Sequence, residues 1–156
     1  MRLRGYDYNI PGIVFLTICT IDRRCILSRI DIQEENEMPA VLLTEYGKTA
    51  EKYMKQICAY YDFLSLESYV IMPNHIHILL RISTEYENSD SIPANTVIAR
   101  FVSTFKRFCN REYGRNIWQS RSYDHIIRDK SDYEAKIRYI YENPKNWYMD
   151  TLYSDE

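Results

Sequence analysis

The stretch Met72-Pro73-Asn74-His75-Ile76-His77-Ile78-Leu79-Leu80 decides how the chain is read. From His75 it alternates polar and apolar, the period-two pattern of a half-buried strand. His75 and His77 therefore share one face, while Ile76, Ile78 and Leu80 share the other. Residues two apart on a strand face stand about 6.5–7 Å apart at the backbone. Both rings can then turn onto one divalent cation, for which neutral imidazole is a common ligand. Two polar residues on a solvent face would show the same spacing, and spacing alone does not separate these readings.

Outward from this stretch, Phe63 to Met72 supplies the preceding strand, and Pro73-Asn74 interrupts it, so a hairpin is the simple connection. Ile13 to Ile21 is rich in β-branched and aromatic residues and reads as a central strand covered on at least one side. Asp22 to Pro39 is polar and acidic, which predicts a loop. Tyr46, Ala50, Tyr53, Met54, Ile57 and Tyr61 form one stripe of a helix from about Thr44 to Tyr61, with Thr44 suited to cap its free amides. Glu85 to Pro93 reads as a second acidic loop. Ile98, Phe101, Val102, Phe105 and Phe108 recur at helical spacing from about Asn95 to Tyr113, with Gly114 a natural terminator. Ser122 to Arg128 reads as a short strand. Ser131-Asp132-Tyr133-Glu134 has the pattern of a capping box, opening a helix from Asp132 to about Asn143 that Pro144 stops. The order strand, helix, strand, strand, helix, strand predicts an α+β fold, a ferredoxin-like antiparallel sheet with helices packed on it and one further helix appended.

On that last helix Tyr133, Ile137, Ile140 and Tyr141 fall in one apolar sector. Asp132, Lys136, Tyr139 and Asn143 make a separate stripe within about 60°, with Tyr139 and Asn143 neighbours four apart. A tyrosine on a helix is more often a core residue, and that reading suits Tyr133 and Tyr141 better than Tyr139.

Pro-Asn-His-hydrophobic-His after an apolar strand resembles the His-hydrophobic-His signature of the single-tyrosine transposases, which nick and rejoin single-stranded DNA. Tyr139-Ile140-Tyr141-Glu142-Asn143-Pro144 resembles their nucleophile helix as carried by the REP-associated tyrosine transposases. Ile117-Trp118-Gln119-Ser120-Arg121-Ser122-Tyr123-Asp124-His125-Ile126-Ile127-Arg128 is similar to a block of that branch. The resemblance runs in order over about residues 6 to 148. It implies Tyr139 as nucleophile, a 5′-phosphotyrosine intermediate, and Mg²⁺ or Mn²⁺ held by His75 and His77. The wider family completes the metal site with a glutamine one turn beyond the tyrosine. Here Asn143 stands there, and it is also placed to cap the helix end. His125 and Lys136 are further active-site candidates, although a lone histidine on a short strand is more often structural. Lys106, Arg107, Arg111, Trp118, Arg121 and Arg128 are candidates for DNA contact by phosphate pairing or stacking, with Trp118 as readily a core anchor. The expected substrate is single-stranded or hairpin DNA. The expected assembly is a monomer or a homodimer. A binding module that no longer cleaves, or a metal-dependent phosphodiesterase using water, are the rival classes.

Composition agrees. The 156 residues suit one domain over 1–156. With 46% hydrophobic and 27% charged residues the chain has ordinary soluble composition, and no apolar run spans a bilayer. Met1 to Tyr8 lacks the apolar core of a secretory signal, and Cys19, Cys25, Cys58 and Cys109 show no metal-like or redox pairing, so a reducing cytoplasm is expected. A net charge of −2 argues against indiscriminate coating of nucleic acid. From Arg100 to Arg128, however, seven basic residues face only Glu112 and Asp124, enough for a local phosphate-binding face if it is more than a solvated surface.

Overall fold

A computed structural model describes residues 12–32, 37–83 and 94–155. The expected acidic loop Glu85 to Pro93 and the N-terminal octapeptide lie outside these residues. The elements are β1 (Ile13–Thr20), a 3₁₀ turn (Ile21–Arg23), β2 (Ser28–Asp31), β3 (Ala40–Leu43), α1 (Glu45–Tyr60), β4 (Leu64–Ile71), β5 (His75–Ile82), α2 (Ala94–Tyr113), β6 (Trp118–Ile126), α3 (Lys130–Glu142) and a closing 3₁₀ turn (Trp147–Met149).

The main sheet runs β4-β5-β1-β6, with every neighbouring pair antiparallel. This is the ferredoxin-like order expected from the element pattern. β1 is central as predicted, and it is buried on both faces because helices cover both. Val14, Leu16 and Ile18 join Ile76, Ile78 and Leu80 of β5 beneath α1 and α2. The opposite face carries Ile13, Phe15 and Leu79 against Ile140 of α3 and Trp147 beyond it.

Three expectations are corrected. The predicted loop from Asp22 to Pro39 contains β2, which pairs with β3 as a small separate hairpin. These strands are four residues each, Ser-Arg-Ile-Asp and Ala-Val-Leu-Leu, too short for an alternation to stand out. The sixth strand begins at Trp118 rather than Ser122 and pairs with β1 through an irregularity between Ile18 and Thr20. α3 is capped by Asp129, not Ser131: Asp129 Oδ1 accepts from the Asp132 amide at 2.7 Å, and Asp132 Oδ2 accepts from the Arg128 amide at 3.2 Å. The arrangement is like a capping box set two residues earlier, with the return bond going to the amide before the cap rather than to the cap itself. The expected end of this helix holds: α3 stops at Glu142 with Asn143 as its C-cap, directly before Pro144.

The helix predicted from Thr44 begins there, since Thr44 caps α1 by accepting from the Gly47 amide at 3.2 Å. Gly114 ends α2 in the left-handed region, φ +78°, donating to the Asn110 carbonyl at 2.9 Å. Gly47 is tighter: a Cβ there would stand 2.1 Å from the Leu27 carbonyl oxygen, which already accepts from Thr44. Gly47→Ala should therefore destabilise by about 1–3 kcal/mol through overpacking of α1 on the chain before β2. Urea unfolding of the two proteins measures this, and a neutral result would contradict the close approach.

Candidate active site

β5 turns His75 and His77 onto the face beneath α3, so the solvent-face reading of this pair is corrected. The two residues are 0% and 3% exposed. Their rings lie 4.6 Å apart, and His77 stacks on Phe15 at 5.0 Å. Cross-strand register explains the placement: Cys19 of β1 faces His75, and Thr17 faces His77. Each ring is held by its Nδ1. Thr17 Oγ1 lies 2.9 Å from that of His77, and Asn74 Oδ1 lies 2.7 Å from that of His75. The Asn74 amide nitrogen donates to the carbonyls of Leu152 and Arg23, at 2.7 and 3.2 Å. With both amide hydrogens so used, Oδ1 must face His75, and His75 must donate from Nδ1. Its Nε2 is left as the lone-pair nitrogen, the arrangement by which an outer partner prepares a histidine for a metal.

Among the described residues five buried side-chain N or O atoms lack a hydrogen-bond partner, and three of them are His75 Nε2, His77 Nε2 and Asn143 Oδ1. These belong to the three residues expected to hold a cation. A buried polar atom left unmade costs about 1–3 kcal/mol, so three together mark a site kept for something other than stability. Burial pushes His75 down to about 4, against a smaller opposing pull from Asp150, and pushes His77 down to about 3. Both imidazoles are thus neutral at physiological pH, the form that ligates.

Asp150 is the site residue that sequence reasoning missed. Its side chain is 3% exposed, with Oδ2 3.8 Å from His75 Nε2, and one ligand atom each from His75, His77 and Asp150 lie within 4.8 Å of one another. Asn143 Nδ2 donates to the same carboxylate oxygen at 3.1 Å. Asp150 lies beyond α3, where no periodic pattern points to it.

Tyr139 stands at the edge of this cluster, its ring 5.2 Å from His77 and 6.0 Å from Phe15. It is 43% exposed. Burial, then the Asp150 carboxylate, raise its pKa, with the Asn143 amide opposing them. The resting hydroxyl is therefore protonated. Tyr141 was expected in the core and is instead 66% exposed. The line of α3 that meets the sheet is Tyr133, Ile137 and Ile140, continued by Trp147, and Tyr139 and Tyr141 flank it on opposite sides.

Lys136, one turn before Tyr139, holds its ammonium 5.6 Å above the Phe15 ring and 3.5 Å from Asp132. His125 does not join the cation cluster: its Nε2 pairs with Asp132 Oδ2 at 2.8 Å. Burial works to raise Asp132, but the His125 bond and the Arg128 amide outweigh it and hold the carboxyl below its usual range. Of the DNA-contact candidates, Trp118 is corrected to a core residue, 1% exposed against Phe105. Lys106 is half-buried and donates to the Gln119 carbonyl at 2.8 Å. Arg107 and Arg111 are exposed over the Phe108 ring on α2, on the far side of the sheet from Tyr139. Arg121 and Arg128 are exposed at β6 and after it. Arg121 lines an open groove of about 730 Å³ with Arg23, Gln119 and Tyr123.

The family model for IS200-like transposases matches residues 16–143. A candidate REP-associated tyrosine transposase of Haemophilus influenzae is 28% identical over 155 residues, covering 94% of this chain and 78% of its own length. The REP-associated tyrosine transposase of Escherichia coli is 27% identical over 99 residues, 58% of this chain and 55% of its own. A solved REP-associated tyrosine transposase bound to a REP hairpin matches 94% of this chain and 73% of its own with a TM-score of 0.60, a likeness of fold at 21% identity. The match of the family model over most of the chain, with the histidine strand and the tyrosine helix both inside it, makes this chain a member of the IS200-like transposase family that resembles its REP-associated tyrosine transposases.

Proposed function

We propose that the protein cleaves and rejoins single-stranded, hairpin-forming DNA through a covalent 5′-phosphotyrosine on Tyr139. The observation that carries this reading is the meeting of Tyr139 with a buried pair of neutral histidines whose Nε2 atoms have no partner. His75, His77 and Asn143 offer two imidazole nitrogens and an amide oxygen, a set that suits Mn²⁺ or Mg²⁺. A bound divalent cation would polarise the scissile phosphate and offset charge growing on its oxygens.

The protein's own residues do the rest. Tyr139 must lose its proton to become a nucleophile, because a phenol raised above its usual pKa near 10 is inert at neutral pH. The phenolate oxygen attacks phosphorus, the bond from phosphorus to the 3′ oxygen breaks, and that oxygen takes up a proton. The ester keeps the bond energy, so a 3′-hydroxyl can reverse the step and join a new strand. Phe15 packs against both the Tyr139 ring and His77 and so keeps the nucleophile beside the histidine that would hold the cation. Lys136 sits on the outer side of the same ring, placed to meet a phosphate entering over it.

The DNA path follows from exposure. Tyr123 pairs across β1 with Thr17, which itself pairs with His77, so the exposed Tyr123 ring and the site share one face of the sheet. Arg121 and Arg23 beside it would track the backbone, while Tyr123 stacks on an unpaired base. Hairpin substrate is proposed by kinship with the solved relative bound to a REP hairpin.

Two outcomes test this. His75→Gln and His77→Gln should each weaken Mn²⁺ binding at least about tenfold in calorimetry. In the unmodified protein affinity should change little from about pH 8 to about pH 6, because histidines held at about 4 and about 3 meet proton competition only at more acid pH. Steep loss through pH 6.5 would mean that exposed histidines bind the metal. Separately, Tyr139→Phe should bind a labelled hairpin with unpaired flanks yet give no covalent complex on a denaturing gel with Mn²⁺, while Tyr141→Phe keeps wild-type yield. Covalent complex from Tyr139→Phe would remove Tyr139 from the chemistry.

A further inference from the structure

We infer that Asp150 is the anionic ligand of the cation site, delivered by the segment after α3, and that Asn143 orients it through Nδ2. This deepens the metal reading above and rests on it.

The donor set expected from the sequence is uncharged: two neutral imidazoles and one carboxamide. A buried divalent cation surrounded only by neutral groups is poorly compensated for its lost hydration, and Mg²⁺ and Mn²⁺ prefer at least one carboxylate. Asp150 supplies it within the same enclosure, with Oδ2 3.8 Å from His75 Nε2 and the side chain 3% exposed. The Asn74 geometry leaves Nε2 of the neutral ring a lone pair, so a nitrogen acceptor and a carboxylate oxygen face each other. Two acceptors at that separation repel unless a cation stands between them.

The segment bearing Asp150 is docked to the site at several points. Asn74, which orients His75, donates to the Leu152 carbonyl at 2.7 Å. Cys25 Sγ donates to the Ser154 carbonyl at 3.1 Å, and Arg23 donates to the Thr151 carbonyl at 3.4 Å. Trp147 packs beneath α3 and lies 6.0 Å from the His75 ring. Asp150 Oδ1 accepts from the Leu152 amide at 2.8 Å, and Oδ2 accepts from Asn143. Both carboxylate oxygens are thus aimed, one into the segment's own turn and one at the histidines.

The test is Mn²⁺ calorimetry, with the visible spectrum of the Co²⁺-loaded protein, on the full chain and on Asp150→Asn. The amide is isosteric but keeps one oxygen, so it can accept from Asn143 or from the Leu152 amide and not both, while the bonds to the Leu152, Ser154 and Thr151 carbonyls still dock the segment as the charge is lost. A metal-free melting midpoint near that of the unmodified protein checks this, and Asp150→Glu serves as the variant that restores a carboxylate. The expected result is an Mn²⁺ affinity at least about tenfold lower for Asp150→Asn, a changed Co²⁺ spectrum, and recovery of part of the affinity in Asp150→Glu. Affinity within twofold of the unmodified protein, with the Co²⁺ spectrum unchanged, would overturn the assignment while leaving the histidine site standing. Failure of the unmodified protein itself to bind Mn²⁺ would overturn the metal reading, and this inference with it.

Discussion

Everything at the candidate active site depends on burying two imidazoles side by side with their outer nitrogens occupied and their inner nitrogens free. β5 pairs with β1 on one side and β4 on the other, which fixes the rings against Thr17, Phe15 and Cys19. Burial without a partner is unfavourable for a polar atom. It is tolerated here because the same enclosure that denies the nitrogens water keeps them neutral and available. The fold and the chemistry therefore pull in opposite directions at this point, and the surrounding apolar packing of Phe15, Leu79, Ile140 and Trp147 supplies what the site costs.

Two structural units converge on that pair from the same side of the sheet. α3 brings Tyr139 over His77, and the turns that follow bring Asp150 over His75. Asn143 sits at the hinge between them, its backbone at the end of the helix and its amide bonded to Asp150. Its place as the residue one turn beyond the tyrosine thus gives it a second function that a helix wheel does not show. The span from Lys136 to Asp150 thus brings Tyr139, Asn143 and the Asp150 carboxylate together over the histidines of β5.

Much of this was legible in the sequence, and the failures have identifiable physical causes. Long periodic segments announced themselves: β1, the Thr44 cap of α1 and the glycine end of α2 stand where pattern and capping chemistry put them. His75, His77 and Asn143, the residues expected to hold a cation, each carry a buried atom without a hydrogen-bond partner. What alternation could not say is that the histidine face is covered, because the cover comes from residues some 65 positions downstream of the strand, Ile140 and Trp147. A wheel placed Tyr141 with Ile137 and Ile140, yet the contact line bends through Tyr133, Ile137 and Ile140 and leaves Tyr141 in solvent. Asp129 and Ser131 are both good capping residues, and the choice fell to Asp129 because Asp132 is also held by His125 and the Arg128 amide. Asp150, just after the short 3₁₀ turn and outside any periodic element, carried no signal at all.

The central claim is that the polar flank of α3, not its solvent flank, carries the nucleophile. The most direct measurement is mass-spectrometric mapping of the covalent adduct formed when the unmodified protein meets a labelled single-stranded hairpin with Mn²⁺. The expected product is a nucleotide linked through its 5′-phosphate to Tyr139 and to no other residue. A linkage to Tyr141, Tyr123 or Tyr133 would contradict it.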